Sequence, residues 1–435
     1  MSKLKNLIVF ITTAQSPHFE AGFHYAIKNE KLYKKIYFID IFSNISYRHE
    51  YTWRDYYSLL ANISRKIRNG MNKNLNLKFK KYTYSKKFRF INLKSRKDIK
   101  KNDNLIKDIL TTYSCNEHGN SVIKKTKYDE NIIKSIYETM SITQNFVNKY
   151  KVTKKDDFLL FNGRLPSEYG VKEVLLKKKL LNIIYHECNV YQKKIYFLRH
   201  SIHKLEKYDK EIYDYYLRNK KKALDDWLYL KKVKFKKKKF NYITYFTSSN
   251  DEYKFTYKKP VNQSMIIKKL LNLNLVNHKL KIRVHPNTIT KSYETKKYWD
   301  HLKKLNPNIF INYNEKISSE DLCRKSFLTL SIGSSVAAES LIFDTPHLLI
   351  GKQHWYVNLP GYYKCSEKNL KNYIEKFLIK NKNKKKIFFL IKDKHKFIAA
   401  ASLLFLKAIG EKVNLVFLGK FPPLGTIGEK QNWEF

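Results

Sequence analysis

Two short segments of this sequence combine hydrogen-bond donors with residues that make tight turns. His285 precedes Pro286, and farther along the chain Ser331 opens the run Ser331-Ile332-Gly333-Ser334-Ser335. Hydroxyl and imidazole donors suit the oxygens of a phosphate, as do the N–H groups at a helix start, and Arg283 is a further candidate. Glu339 follows about one helical turn later, where a carboxylate can accept from the two hydroxyls of a ribose. The two segments therefore predict a nucleotide site.

The apolar pattern around these segments predicts the elements that position them. Residues 327–330 form an apolar run typical of a buried strand, and residues 336–342 resemble a helix. Residues 279–284 alternate basic and apolar side chains and lead into His285, which predicts a second strand. Because parallel strands end at one edge of a sheet, both segments are expected to face one ligand. Each segment also has an ordinary alternative, a capped helix start for the serines and a proline-fixed turn for His285.

Four further candidates follow predicted strands, and a fifth lies in a helix. Ser248 and Ser249 end a strong strand pattern that begins at Tyr242, and hydroxyls at a strand end suit a phosphate. Arg164 follows a predicted strand at residues 157–161, where its fork of donors suits a carboxylate or phosphate. Glu168, in the next helix, and Glu187, at the end of the following strand, are the candidate general bases. A buried Arg–Glu pair with a structural role is the alternative.

The set of motifs resembles a family of glycosyltransferases. His285-Pro286 followed by the serine run and Glu339 is similar to the nucleotide-sugar half of GT-B enzymes of bacterial capsule and lipopolysaccharide biosynthesis. The order of an HP and then an SS motif also resembles that of bacterial sialyltransferases and Kdo transferases. Residues 161–164, residues 185–187 and the Ser-Ser-x-Asp-Glu run from Ser248 resemble the capsule group. The acidic Asp/Glu-Asp/Glu-Gly motif of the sialyltransferases is missing.

This resemblance implies a GT-B-like α/β fold, with two Rossmann-type domains whose parallel sheets face a cleft. It implies transfer of a sugar from a nucleotide-sugar donor to a glycan or glycolipid acceptor of capsule or lipopolysaccharide, without a cofactor. A CMP-linked acidic sugar such as Kdo or sialic acid is slightly preferred, and a UDP-sugar stays open. The predicted domains are residues 1–235 on the acceptor side, with a Lys-rich insertion at about 51–125, residues 240–385 for the donor, and residues 386–435 as a helix and tail that cross back.

The chain is strongly basic. Lys and Arg number 87 against 38 Asp and Glu, a formal net charge of +49 in 435 residues. This excess favours an anionic partner, and the basic run at residues 231–239 predicts either a membrane-surface patch or a solvated linker. Lysine spread along the whole chain is also typical of a genome-wide bias. A nucleic-acid-binding protein and a non-catalytic assembly protein of the glycan machinery are the alternatives, although no nucleic-acid motif stands out.

Cysteine usage and hydropathy indicate where the protein works. The four cysteines are widely spaced and form neither a zinc motif nor a disulfide framework, which favours a reducing cytoplasm. No uninterrupted apolar segment approaches the ~18 residues of a membrane helix. The expected location is cytoplasmic, with peripheral attachment to the inner face of the cytoplasmic membrane if the basic residues bind lipid.

The sequence contains no Asp-x-Asp triplet of the kind that chelates a sugar-nucleotide cation, so we expect no metal ion in the reaction. Sugar transfer should therefore proceed at the same rate in EDTA as in its absence. Activity lost in EDTA and restored by Mg²⁺ or Mn²⁺ would contradict this expectation.

Overall fold

The chain divides into two compact units, described separately. One comprises Met1–Ser114, Val122–Ile202 and Gly410–Phe435, and the other comprises Cys115–Ser121 and His203–Ile409. The computed structural model describes residues 5–12, 18–45, 85–95, 127–161, 163, 166–189, 194–200, 205–231, 242–248, 263–275, 278–286, 288, 293–351, 356, 358–381, 391–409 and 411–412.

A seven-stranded sheet forms the first unit. Its strands are β1 (Lys5–Ile11), β2 (Tyr33–Asp40), β3 (Phe88–Asn92), β4 (Asp157–Phe161), β5 (Ile183–Asn189), β6 (Lys194–Leu198) and β13 (Glu411–Lys412). The first five pair in parallel in the order β5-β4-β1-β2-β3, whereas β6 and β13 extend the sheet antiparallel beyond β5. This order is that of a doubly wound Rossmann sheet.

Helices cover both faces of this sheet, because successive side chains of its central strand point to opposite sides. The helices are α1 (His18–Lys28), α2 (Lys127–Lys149) and α3 (Pro166–Lys177). Leu7 and Val9 of β1 pack with Phe23 of α1, while Ile8 packs with Phe146 of α2. The nearly continuous apolar run in β1 is thus explained by burial on both faces.

The second unit contains a six-stranded sheet in which every pair is parallel. Its strands are β7 (Tyr242–Phe246), β8 (Lys279–Arg283), β9 (Phe310–Ile311), β10 (Ser326–Ser331), β11 (His347–Ile350) and β12 (Tyr363–Cys365). They lie in the order β12-β11-β10-β7-β8-β9, which is again the doubly wound order 3-2-1-4-5-6. The predicted α/β class with two Rossmann-type domains is confirmed, and the cleft between their sheets stays a prediction.

Eight helices of the described residues belong to the second unit. They are α4 (Asp209–Asn219), α5 (Lys221–Lys231), α6 (Gln263–Leu271), α7 (Tyr293–Leu305), α8 (Ser319–Lys325), α9 (Val336–Ile342), α10 (Leu370–Asn381) and α11 (Asp393–Ile409). None of the helices in the described part of the chain is long and apolar enough to cross a membrane.

The predicted domain boundary near residue 235 stays a prediction, whereas the main segment of the compact unit that holds the second sheet begins at His203. Helices α4 and α5 belong to the second unit because both pack against α11, and Trp227 of α5 contacts Phe343 edge to face. Helix α11 also belongs to the second unit, and its predicted return toward the first domain stays a prediction. In the described residues only β13 returns to the first sheet, where it pairs with β6.

Candidate functional site

The second sheet has its topological switch point between β7 and β10. The chain leaves β7 toward β8 on one side and leaves β10 toward β11 on the other, so a crevice opens at the carboxyl ends of these strands. Phe246 of β7 is in register with Arg283 of β8 and with Ser331 of β10, so the three strands end at one level. Adjacent strands are about 4.8 Å apart, which places the ends of β8 and β10 about 10 Å apart. The histidine and serine segments therefore open at one edge, within reach of one nucleotide.

Ser248 lies between the two segments, directly beyond β7. Its backbone N–H donates to Oε1 of Gln263 at 2.9 Å, and Gln263 is the first residue of α6. The side chain is buried, with 5% of its surface exposed, yet its Oγ has no hydrogen-bond partner within the described residues. A buried hydroxyl without a partner costs about 1–3 kcal/mol, so a native site that keeps one calls for a physical reason such as a ligand.

The backbone fixes His285 next to the end of β7. Its N–H donates to Oγ1 of Thr247 at 2.8 Å, and its carbonyl accepts from the N–H of Thr288 at 2.9 Å. The side chain is half-buried, and the following Pro286 is exposed. Thr247 thus couples the loop after β8 to the loop after β7.

The guanidinium of Arg283 binds backbone rather than pointing toward solvent. It donates to the carbonyls of Asn312 and Glu315, the latter at 2.9 Å. Burial lowers the pKa of this side chain. Arg283 therefore holds the segment after β9 against β8, and its predicted phosphate contact stays a prediction.

Residues 331–335 form a turn, here called the serine turn, that leaves two hydroxyls near the crevice. Ser334 and Ser335 are both half-buried, and Ser335 is the N-cap residue of α9. Its side chain makes no capping hydrogen bond, whereas Ser334 Oγ accepts a long 3.3 Å bond from the N–H of Val336. Because α9 has only seven residues, its dipole is weak, and side-chain hydroxyls are the stronger donors here.

Ser331, another predicted ligand, is fully buried beneath this turn. Its Oγ lies 2.9 Å from Nε2 of His347, and Nδ1 of the same ring lies 2.8 Å from Oγ1 of Thr329. Burial lowers the pKa of His347 to about 3, so the imidazole is neutral near pH 7. The ring of Tyr362 meets it edge to face at 6.3 Å.

Glu339 lies in α9, as predicted, and pairs with a lysine from α5. One carboxylate oxygen is 3.4 Å from Nζ of Lys231, which also lies 3.2 Å from Glu320. The side chain of Glu339 is 8% exposed, and burial raises its pKa, with Lys231 acting in the opposite direction. An ion-pair role is therefore visible, while the ribose contact stays a prediction.

In the first unit, a predicted general base lies at the other switch point, between β1 and β4. Thr12, just beyond β1, donates from Oγ1 to Oε1 of Glu168 at 2.6 Å. Glu168 is fully buried in the first turn of α3, the helix that follows β4. The bond joins the loop after β1 to the start of α3.

The predicted strand end at Glu187 is wrong. Strand β5 continues to Asn189 because β6 pairs with it antiparallel, and Glu187 is in register with Tyr196 inside the ladder. The turn at Gly163 is present, with a φ of 74° and a backbone bond to Phe161. Arg164 and Ser249 lie outside the described residues.

Three residues of the second site have no motif in the sequence that reveals them. Thr247 and Gln263 hold the ends of β7 and β8, and His347 holds the end of β10. Thr247 belongs to a hydroxyl-rich strand end, which is a weak signal, whereas the other two meet their partners only in the folded sheet. Within the described residues, no group of three or more His, Cys, Asp or Glu forms a site for a metal ion.

No protein-family model and no curated protein matches the sequence. Similar solved structures include Thermosulfurimonas dismutans KpsC, a beta Kdo 2,7 transferase, at 13% identity, covering 64% of this chain and 88% of that chain, with a TM-score of 0.35. UDP-GlcNAc 2-epimerase from Neisseria meningitidis has 12% identity, coverage of 93% and 99%, and a TM-score of 0.29. Anabaena HepE, in complex with UDP and glucose, has 8% identity, coverage of 93% and 95%, and a TM-score of 0.28. Scores this low assign no activity to this chain.

His347 makes stability depend on pH in a defined direction. The unfolded state takes up a proton near pH 6.5, but the buried ring does not until about pH 3, so the unfolding free energy falls as pH drops between these values. We expect its contribution to fall by about 2–3 kcal/mol between pH 6.5 and about pH 4.5. Urea unfolding of the wild type and of His347→Gln at several pH values measures it. Parallel pH profiles for the two proteins would contradict this assignment.

The Lys231–Glu339 pair permits a test of the ribose role. Lys231→Met removes the ion pair but leaves the carboxylate, whereas Glu339→Gln removes the carboxylate charge. Both should lower the melting temperature, and only Glu339→Gln should weaken binding of UDP, since the ribose hydroxyls would contact the carboxylate. Thermal denaturation and calorimetry provide the two measurements. Equal losses of affinity would mean that Glu339 acts only through its ion pair.

Proposed function

We propose that the chain is a glycosyltransferase whose second unit binds the donor through the crevice at the ends of β7, β8 and β10. The buried hydroxyl of Ser248, which has no hydrogen-bond partner among the described residues, is the observation that carries the proposal. It lies where the strand order reverses, the position at which open α/β sheets bind ligands. A donor phosphate oxygen would accept its hydrogen bond and remove the cost of the unpaired group.

Three other donors support a phosphate at this place. Ser334 and Ser335 follow β10 on one side of Ser248, and His285 follows β8 on the other. Loss of a sugar leaves negative charge on the departing phosphate, and donors fixed in advance stabilise that charge. The net charge of +49 adds a long-range attraction for an anionic nucleotide and, on the same grounds, for an anionic membrane surface.

The acceptor would be a capsule or lipopolysaccharide glycan, and a carboxylate is expected to act as the general base for its attacking hydroxyl. Glu168 is the candidate we favour because it lies at the switch point of the first sheet, whereas Glu187 lies within a strand ladder. The donor site is expected to bind CMP with only a modest preference over UDP.

Nucleotide binding tests the donor site. We expect His285→Ala and the double variant Ser334→Ala, Ser335→Ala each to bind UDP and CMP about ten- to a hundredfold more weakly, because hydrogen bonds to a charged phosphate contribute about 1.5–3 kcal/mol. Ser248→Ala should weaken binding while leaving the free protein equally or more stable, since the unpaired hydroxyl is removed.

Calorimetry with each nucleotide measures these affinities. Unchanged affinity in His285→Ala and in the double serine variant would move the donor site elsewhere. A donor-hydrolysis assay then separates an enzyme from a protein that only binds the nucleotide.

Replacement of the proposed base tests catalysis separately from binding. Glu168→Gln retains an oxygen for the bond from Thr12 but lowers basicity, so kcat should fall by about 10²-fold or more while nucleotide affinity is unchanged. Thr12→Val, which removes only the hydrogen bond, should reduce kcat less. A Glu168→Gln enzyme with wild-type kcat would direct the search for the base to Glu187.

A further inference from the structure

A buried hydrogen-bond network beneath the serine turn connects α9 to the end of β10. Ser340 of α9 contacts the carbonyl of Val336 and Oγ1 of Thr329, each at 2.8 Å. Thr329 also lies 3.1 Å from the carbonyl of Pro346 and 2.8 Å from Nδ1 of His347. Nε2 of His347 extends the network to Ser331 at 2.9 Å. The four side chains of this network, at positions 329, 331, 340 and 347, are fully buried.

The directions of these bonds follow from what each atom can donate. A carbonyl only accepts, so Ser340 gives its proton to Val336 and must accept from Thr329. The single proton of Thr329 is then used toward Ser340 and Pro346, and its oxygen accepts from His347. A neutral imidazole carries one proton, which is thereby located on Nδ1. Its bare Nε2 accepts, and Ser331 donates its hydroxyl proton inward to the ring.

We propose that His347 is the positioning residue of the serine turn, and that Ser331 is the anchor of that turn rather than a ligand of the donor phosphate. The anchored end of β10 then presents Ser334 and Ser335, three and four residues later, to the nucleotide. This inference rests on the proposed function. It assigns Ser331 to anchoring the turn, and Ser334 and Ser335 to binding the nucleotide. It also identifies a neutral Nδ1–H tautomer as the form that the site requires.

The sequence after Ser331 makes such an anchor useful. Ile332 is fully buried, and the backbone then turns through Gly333 to Ser334 and Ser335, whose carbonyls accept the first hydrogen bonds of α9. The end of β10 and the start of α9 together therefore set the level at which the hydroxyls emerge. A shift at Ser331 would move the whole turn, because β10 ends there. Hydroxyl donors must lie within about 3 Å of a phosphate oxygen to bind it, so a displacement of about 1 Å is sufficient to weaken binding.

Two variants of similar chemistry and different reach test the proposal. His347→Gln places an amide oxygen near the position of Nε2 and can accept from Ser331, whereas His347→Asn places an amide nitrogen near Nδ1 and reaches only Thr329. Both leave a polar group in the network. If the anchor matters, the Gln variant should bind UDP and CMP nearly as the wild type does, and the Asn variant about five- to tenfold more weakly.

Melting temperatures of the two variants show whether a difference in affinity reflects folding. Equal affinity of the two folded variants for UDP and CMP would overturn the proposal. A Ser331→Ala variant that binds both nucleotides with wild-type affinity would overturn it as well. Weaker binding in Ser331→Ala that is not additive with His347→Asn supports it, since the two changes break one contact.

The tautomer of His347 provides a test that does not depend on nucleotide binding. In the full-length protein with ¹⁵N-labelled histidine, the resonance that disappears in His347→Gln, one of 13 histidines, identifies the ring. A proton on Nδ1 supports the anchor, and a proton on Nε2 overturns it. If the wild type binds neither UDP nor CMP, the proposed function fails, and the tautomer alone decides whether Ser331 is anchored.

Discussion

The parallel pairing of β7 with β8 on one side and β10 on the other is the constraint on which the candidate donor site depends. Register brings Phe246, Arg283 and Ser331 to one level, so three loops emerge side by side. A slip of one residue would exchange the two faces of a strand and move Tyr245 of β7, or Leu330 of β10, out of the hydrophobic cluster in which it packs. The hydrophobic core of the sheet thereby also sets the positions of the polar side chains at its edge.

Polar side chains at the strand ends also fix the positions of the loops that form the site. Thr247 binds the backbone of His285, Gln263 binds the backbone of Ser248, and His347 holds Ser331, so each of the three strand ends is fixed by one side chain. Ser248 differs from Thr247, Gln263 and His347 in that its side chain has no hydrogen-bond partner in the described residues. The contrast between satisfied supports and one unsatisfied group is what distinguishes a binding site from ordinary loop packing.

Local patterns in the sequence were sufficient for most elements that position the site. The predicted strand at residues 157–161 and helix at residues 336–342 match the structure, and the strands flanking the site are displaced by one to three residues at most. Strand β3 was missed because it is short and lies within Lys-rich sequence, and β12 because it has three residues. The supports at Gln263 and His347 depend on contacts made only after folding, which periodicity does not encode. Glu187 was misplaced because antiparallel pairing with β6 extends its strand.

The return of the chain to the first sheet through β13 has a consequence for biosynthesis. Glu411 and Lys412 pair with Ile195 and Lys194 at the edge of β6, but the ribosome makes them only after the whole second unit. Until then β6 presents unpaired backbone groups of the kind that recruit foreign strands. The edge of the nascent first unit therefore stays open while about two hundred residues are synthesised, at roughly 5–20 residues per second. During that interval β6 can pair with a wrong strand.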